Sequence, residues 1–366
     1  MTTTTRRAKS AARFPQEATW EACLETIESF YEKGWTDGLP VVPPTEDSVR
    51  AMLATVDRDP LEVLGPVPPR LGIATVEAVA AICVMAGCRP EYFRVVLAAV
   101  EAMMEERLNL NGIQATTNAA APLAIISGPI VKEIKVNTGT NVFGHGYRAN
   151  ATIGRAVRLV MVVLGGGYPE TGDKSPLGQP GKFSYCIGES PSNPWEPLHV
   201  ERGLPPEASA VTLIGVDAPR AFTTSSQEVD PLNALRDIAR EITHLTHNVH
   251  FGGEVLLVLN PLTAQRLADA RWNKDDIRYF MYEKARVPLE QFQAAESGHG
   301  VVNPENKLRW PMWLRVPDEG VRVPALRKPE HLVITVAGGT QLPWSALCGG
   351  WGHFGGFSVT RAIRPG

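Results

Sequence analysis

Val255-Leu256-Leu257-Val258-Leu259, followed at once by Asn260-Pro261, is the stretch that decides the fold. Five apolar residues in a row are too few for an ordinary helix and show no polar alternation, so they read as a strand buried on both faces. The proline that follows fixes its own φ and donates no backbone hydrogen bond, which ends the run abruptly. Three other runs have the same form: Leu123 to Ile126 before Ser127-Gly128-Pro129, Val211 to Val216 before Asp217, and Leu332 to Val336 before Ala337-Gly338-Gly339. Together they predict an α/β fold, with a mixed or parallel sheet covered by helices and an N-terminal helical segment. The expected arrangement is one sheet with Ser127, Asp217, Asn260 and Gly338 along the same edge, because ligands of such sheets bind beyond the carboxyl ends of strands.

Outward from these runs the pattern is helical. Residues 262 to 286 read as two helices joined near Asn273, whose side chain can cap the second. Residues 150 to 164 and 230 to 248 form two more. On the N-terminal side, residues 16 to 34 set Trp20, Cys23, Leu24, Ile27, Phe30 and Tyr31 on one stripe and stop at Gly34. A short helix over about 45 to 56 follows the stiff connector Asp37-Gly38-Leu39-Pro40 and Pro43-Pro44. Residues 75 to 87 and 90 to 107 make a helical hairpin broken at Gly87-Cys88-Arg89-Pro90. The expected organisation is a tail over 1–15, a helical part over 16–110 and an α/β catalytic part over 111–366, the last two free to form one continuous domain. No internal repeat of fixed period is visible.

Composition narrows the function classes. With 366 residues, 44% hydrophobic and 20% charged, the chain can bury a large core without disulfides or metal. Lys and Arg total 36 against 39 for Asp and Glu, a net charge of -3, which gives no field for capturing a phosphate backbone and argues against a nucleic-acid partner. No run approaches the ~20 apolar residues of a membrane span, and MTTTTRRAKSAARFP has no apolar signal core, so the expectation is a cytoplasmic protein without a membrane partner. Cys23, Cys83, Cys88, Cys186 and Cys348 are odd in number and scattered, which does not indicate a disulfide framework. Cys83 and Cys88 read as small buried hydrophobes.

Four segments concentrate groups that can do chemistry. Residues 137 to 155 hold Asn141, His145, Arg148, Asn150 and Arg155 in a glycine-rich loop that feeds a helix. Free N–H groups at a helix start attract anions, and Arg148 with Arg155 can clamp a carboxylate or phosphate. The plainer reading is a turn whose Asn side chains close their own backbone. No P-loop pattern occurs. Residues 186 to 202 place Glu189, Trp195, Glu196, His199 and Glu201 between prolines, where His199 with Glu201 or Glu189 can form an oriented acid/base pair. The alternative leaves them as surface groups. His244, His247 and His250 are spaced by three, a pattern able to hold a metal only if the helix ends near Asn248. Residues 338 to 353 suggest a glycine-rich wall, Gly338 and Gly339 included, that folds over a ligand; Cys348 with His353 as nucleophile and base is the alternative.

The segments WTDGLPVVPPTEDSV, MAGCRPEYF, GIQATTNAAAP, NVFGHGYRANATIGRA, LGQPGKFSYCIGE, NPWEPLHVERG and WNKDDIRYFMYEKAR resemble a bacterial family found beside, or fused to, a small thiol or selenol domain bearing the UGSC motif. The resemblance spans about residue 30 to the end. It implies a role beside a redox-active cysteine or selenocysteine partner, and adds Asn118 to the candidate ligand-binding positions. The chain itself holds no UGSC or CGSC segment, so such a partner would be a separate protein. Leu347-Cys348-Gly349-Gly350-Trp351, His247 and His250 depart from the family pattern.

The leading expectation is therefore an oxidoreductase or lyase acting on a small polar or anionic substrate. Catalysis is assigned to His199, Glu201 and Glu189. Binding is assigned to Asn118, Asn141, His145, Arg148, Asn150, Arg155, Trp195, Glu196, Gly338 and Gly339. Loops 189–201 and 141–155 are expected to face one another across one pocket, with the pKa of His199 raised by its carboxylates. Metal-assisted hydrolysis through the histidine triplet is the second reading, and a non-catalytic ligand-binding subunit of a two-component redox enzyme the third. Cofactor and metal are undefined by the sequence, and a homo-oligomer is left open.

Overall fold

Period-two alternation sorts the apolar runs between three interfaces. Leu123 and Ile125 face one way and Ala124 and Ile126 the other, and the same split separates Leu256 and Val258 from Val255, Leu257 and Leu259. The structure, a computed structural model, describes residues 20–224, 230–245, 248, 252–289, 320–352 and 355–365. In chain order its elements begin with α1 (Trp20–Glu32), α2 (Glu46–Leu53), β1 (Val63–Val67), β2 (Gly72–Thr75), α3 (Val76–Ala86), α4 (Phe93–Met103), α5 (Leu110–Ala115), β3 (Ala121–Ser127) and α6 (Ile130–Glu133). Next come α7 (Arg148–Leu159), β4 (Cys186–Gly188), α8 (Leu198–Glu201), β5 (Ala210–Val216), β6 (Arg220–Thr223), α9 (Pro231–Thr243) and β7 (Val255–Leu259). The last are α10 (Pro261–Asp269), α11 (Lys274–Lys284), β8 (Arg286–Pro288), β9 (Arg322–Pro324), β10 (Leu332–Val336), β11 (Trp344–Cys348) and β12 (Val359–Ala362). Local chemistry accounts for several ends: Asn273 accepts from Asp276 N at 2.8 Å in a capping box that starts α11, and Gly87 ends α3 with φ 85. No described helix is long and apolar enough to cross a membrane.

The protein is mixed α/β, but its strands form two four-stranded sheets rather than one. Their orders are β12-β5-β3-β4 and β10-β7-β11-β6, with the small pairs β1-β2 and β8-β9 outside them. The inner faces pack on each other through Leu123, Ile125, Ile187 and Ile214 against Leu256, Val258, Val333 and Cys348. Helices α3, α4 and α7 cover the outer face of the first sheet, and α9, α10 and α11 that of the second, giving four layers. A continuous apolar run reports that both faces of a strand are dry; it does not say whether a helix or a second sheet dries them. Strands β3 and β5 are antiparallel, so Ser127 and Asp217 lie at opposite ends, against the single-edge expectation. Asn260 and Gly338 do share an end, because β7 and β10 are parallel. The helical hairpin of the N-terminal part is one layer of the core, and Cys83 and Cys88 are buried in it.

The two sheets repeat one another. In each, a parallel pair (β3 with β4, β7 with β10) is followed by two antiparallel additions, β5 then β12 in one and β11 then β6 in the other. The registers can be superposed with Leu213 on Leu347 and Val216 on Gly350. Val216 and Gly350 also form a bridge with each other, flanked by Asp217 N to Gly349 O at 2.7 Å and its counterpart Trp351 N to Gly215 O at 3.3 Å. A local two-fold relation therefore runs through this bridge. Each half sends the strand after it into the other half's sheet, β6 leaving the first and β12 the second. The repeat lies in topology, which explains why no fixed period shows in the sequence.

A Cβ on Gly350 would sit 1.9 Å from the Glu254 carbonyl oxygen. Gly350→Ala is expected to cost on the order of 1–3 kcal/mol of stability, read as a lower urea midpoint at unchanged slope. An unchanged midpoint would show that this junction yields freely.

Candidate functional site

The loops chosen from sequence do converge, mainly through backbone. Gly188 N donates to Asn137 O at 3.0 Å, Ser190 N to Val336 O at 2.7 Å and Gly338 N to Thr138 O at 2.9 Å. Their side chains serve mostly as ties. Asn150 is buried and closes the loop on itself, accepting from Asn137 N at 2.7 Å and donating to Asn137 O and Cys186 O. Asn141 donates to His145 O at 2.9 Å within an exposed turn, and Asn118 accepts from Ala120 N at 2.6 Å. Arg148 lies in the first turn of α7 and donates to Gly87 O at 3.0 Å, which pins α7 to the α3–α4 turn. Trp195 donates to Trp272 O at 2.8 Å, the Glu196 carbonyl accepts from Lys274, and Gly339 O accepts from Asn260.

The acid/base assignment meets a different geometry. Glu201 is clamped by Lys274 at 2.9 Å and by Arg278, and Glu189 is buried, accepting from Leu198 N at 2.8 Å and Asn193 at 3.0 Å. Both carboxylates are thus engaged elsewhere than on the His199 ring. That ring is 1% exposed, with Nε2 3.4 Å from Pro206 O and Nδ1 buried without a partner. Burial lowers the His199 pKa, opposed by the Pro206 carbonyl, so the shift runs opposite to the expected rise. His244 is exposed, and His247, His250 and His353 lie outside the described residues, so the triplet and the Cys348–His353 pair do too. Among the described residues, no group of three or more His, Cys, Asp and Glu side chains is placed to hold a metal ion. Cys348 is fully buried and its pKa is pushed up to about 12 by that burial, which keeps the thiol protonated.

One sequence-chosen residue leads to a denser site. Arg155 on α7 forms a two-bond pair with Asp37 at 2.8 and 2.9 Å, and Arg158 follows three residues later on the same helix. Arg158 is only 6% exposed, yet its guanidinium donates no hydrogen bond among the described residues. Burial pushes its pKa down to about 10, opposed by the charges of Asp173 and Asp37. Beside it, Lys182 Nζ lies 2.6 and 2.7 Å from the two oxygens of Asp173. Burial also lowers the Lys182 pKa, with Asp173 opposing and the Arg158 charge adding to the fall. Three cations and two carboxylates leave one positive charge uncompensated, the complement of one carboxylate or phosphate group.

The chain between α7 and Asp173 is tightly packed. The loop after α7 packs too closely for side chains: a Cβ on Gly165 would lie 2.4 Å from Pro68 O, and one on Gly167 2.1 Å from Gln114 Oε1. Gln114 is itself buried, donates to Pro68 O, and has an Oε1 without a donor. Asp173 is held by its own backbone, donating to Tyr168 O at 2.8 Å, and accepts from Ser175 N at 3.0 Å. Sequence reasoning missed Arg158, Asp173 and Lys182. The usable signal was a lone arginine inside the apolar run Ala156 to Leu164, where a charge must find a partner or a use.

Glu189 supplies a test of the buried polar frame. Burial raises its pKa against the Lys274 charge and its hydrogen bonds. A raised pKa means stability fully present below the ordinary carboxyl value of about 4.3 and lost as pH climbs through the folded value. The unfolding free energy of Glu189→Gln relative to the parent should therefore improve from pH 4 to pH 7; parallel pH–stability curves would contradict the assignment.

Comparisons with protein-family models, with curated proteins and with solved structures find no match to this chain.

Proposed function

We propose that the chain is an enzyme for a small anionic molecule, with Arg158 holding its carboxylate or phosphate and the Lys182–Asp173 pair moving a proton beside it. The observation that carries this reading is the buried Arg158 side chain, which has no hydrogen-bond acceptor among the described residues, next to a half-buried lysine whose pKa is lowered. An unpaired buried charge is expensive, and perturbed ionisable groups in one place are the usual mark of a working site. A bound carboxylate would accept the free guanidinium donors and neutralise the excess charge. Lys182, deprotonated more easily than an exposed lysine, can then take a proton from the carbon next to that carboxylate. Asp173 stabilises the ammonium that forms. Proton removal beside a carboxylate is the first step of a lyase elimination, so this chemistry is favoured over hydrolysis.

For a reductive variant that runs on a thiol, four of the five cysteines are buried and Cys23 is half-buried. That supports taking reducing equivalents from a separate thiol or selenol partner, as the family resemblance implies.

Arg158→Met tests the reading in two directions. Replacing a buried charge that has no hydrogen bond among the described residues with an apolar chain of similar length should leave the melting temperature equal or higher. Binding of small carboxylates, followed by calorimetry, should weaken by about 10- to 150-fold, the equivalent of ~1.5–3 kcal/mol for a charge-assisted contact. A fall in melting temperature with unchanged binding would make Arg158 structural.

The pH dependence follows the same groups. Lys182 acts as a base once deprotonated, so turnover should rise with pH towards its lowered pKa, and binding should fail above the Arg158 value of about 10. Lys182→Met should abolish turnover while retaining binding below that pH; full turnover in this variant would remove Lys182 from the mechanism.

A further inference from the structure

A second cationic site lies on the other half of the molecule, independent of the Arg158 cluster. A cleft of about 440 Å³ opens between α9, the end of α11 and the β8–β9 pair. Arg236, Arg240, Lys284, Arg286 and Arg322 line it around Phe280, and no carboxylate is among its described lining residues. The like charges are held together by structure. Arg236 and Arg240 sit one turn apart on α9, a spacing at which equal charges repel. Arg286 and Arg322 interlock, Arg286 donating to Arg322 O at 3.2 Å and Arg322 to Arg286 O at 2.6 Å. Those bonds use neutral carbonyls, so they hold two guanidinium groups side by side without neutralising either.

Compensation from neighbouring carboxylates is partial. Asp237 pairs with Arg240 at 3.1 Å and Glu283 with Arg286 at 3.2 Å. Arg236 is bonded to the neutral Asn233 at 3.1 Å, and neither Lys284 nor Arg322 has a carboxylate partner among the described residues. Three uncompensated charges remain around a space within the range of small-ligand sites. Arginine forks suit tetrahedral oxyanions, and several forks aimed at one cleft suit a chain of them. Phe280, held edge-on by Trp272 at 5.6 Å, gives the cleft an apolar floor.

We infer that this cleft binds a small polyphosphate, carried either as an inorganic chain or on a nucleoside. The intact chain should give saturable one-to-one binding of inorganic tripolyphosphate in calorimetry, weakening steeply with added salt. The double variant Arg236→Gln with Arg322→Gln should weaken it at least tenfold, whereas Arg158→Gln should leave it unchanged. All three substituted positions can be checked for folding by melting temperature. A nucleoside triphosphate separates the two sources: tighter binding than tripolyphosphate, lost in Phe280→Leu, identifies the nucleotide, and equal affinity identifies the phosphate chain. Absence of saturable binding, or full binding by the double variant, overturns the proposal. Loss of tripolyphosphate binding in Arg158→Gln would likewise overturn it, by placing the anion in the other cluster.

Discussion

The reciprocal backbone bonds around Val216 and Gly350 are the constraint on which the rest of the structure depends. They fix the ends of β5 and β11 against each other, and so set the inner faces of the two sheets in register. Leu123 and Ile125 can then interdigitate with Leu256 and Val258 in a space that excludes water. Once both inner faces are dry, each outer face must be covered by helices, because every β3, β5, β7 and β10 residue is buried. The polar loops are consequently pushed to the rim, where Gly188, Ser190 and Gly338 close the junction by main-chain bonds.

Buried charge is handled in two contrasting ways. Glu201 joins Lys274 and Arg278 in a closed network, each partner satisfied, that fastens α8 to α11. Such a network gives rigidity and leaves nothing over for a ligand. At α7 the arrangement is open: Arg155 has Asp37 and Lys182 has Asp173, but Arg158 between them has no hydrogen-bond acceptor among the described residues. The same kinds of side chain thus make a closed brace in one place and an open cluster in the other. The difference is one missing acceptor.

Much of the architecture is legible in the residues. The four apolar runs are strands, Asn273 caps α11, Gly87 ends α3 and the proline after Arg89 opens the turn into α4. These depend on local rules of periodicity, capping and backbone freedom. What is not legible is pairing. Val211 to Val216 reads identically whether it joins Val255 to Leu259 in one sheet or stacks on it from another, since the choice is made by contacts far apart in sequence. The candidate site divides in the same way. Arg155 is recognisable because it sits in a loop-to-helix segment dense in polar groups. Asp37 and Lys182 lie 118 residues before Arg155 and 27 after it, Asp37 in a segment read as a connector. His199 misleads for the complementary reason: its sequence neighbours are carboxylates, but their charges are consumed by Lys274 or by backbone and amide donors.

The exchange of β6 and β12 between the sheets makes this chain the single-polypeptide counterpart of an arm-swapped dimer. In such an arrangement neither half can come apart alone, because opening the first sheet strips β12 from β5 and opening the second strips β6 from β11. The two helical layers are therefore parts of one cooperative unit despite their separate cores. Helix α7 and the arginine cleft on α9, on opposite outer layers, thus belong to one unit that unfolds as a whole.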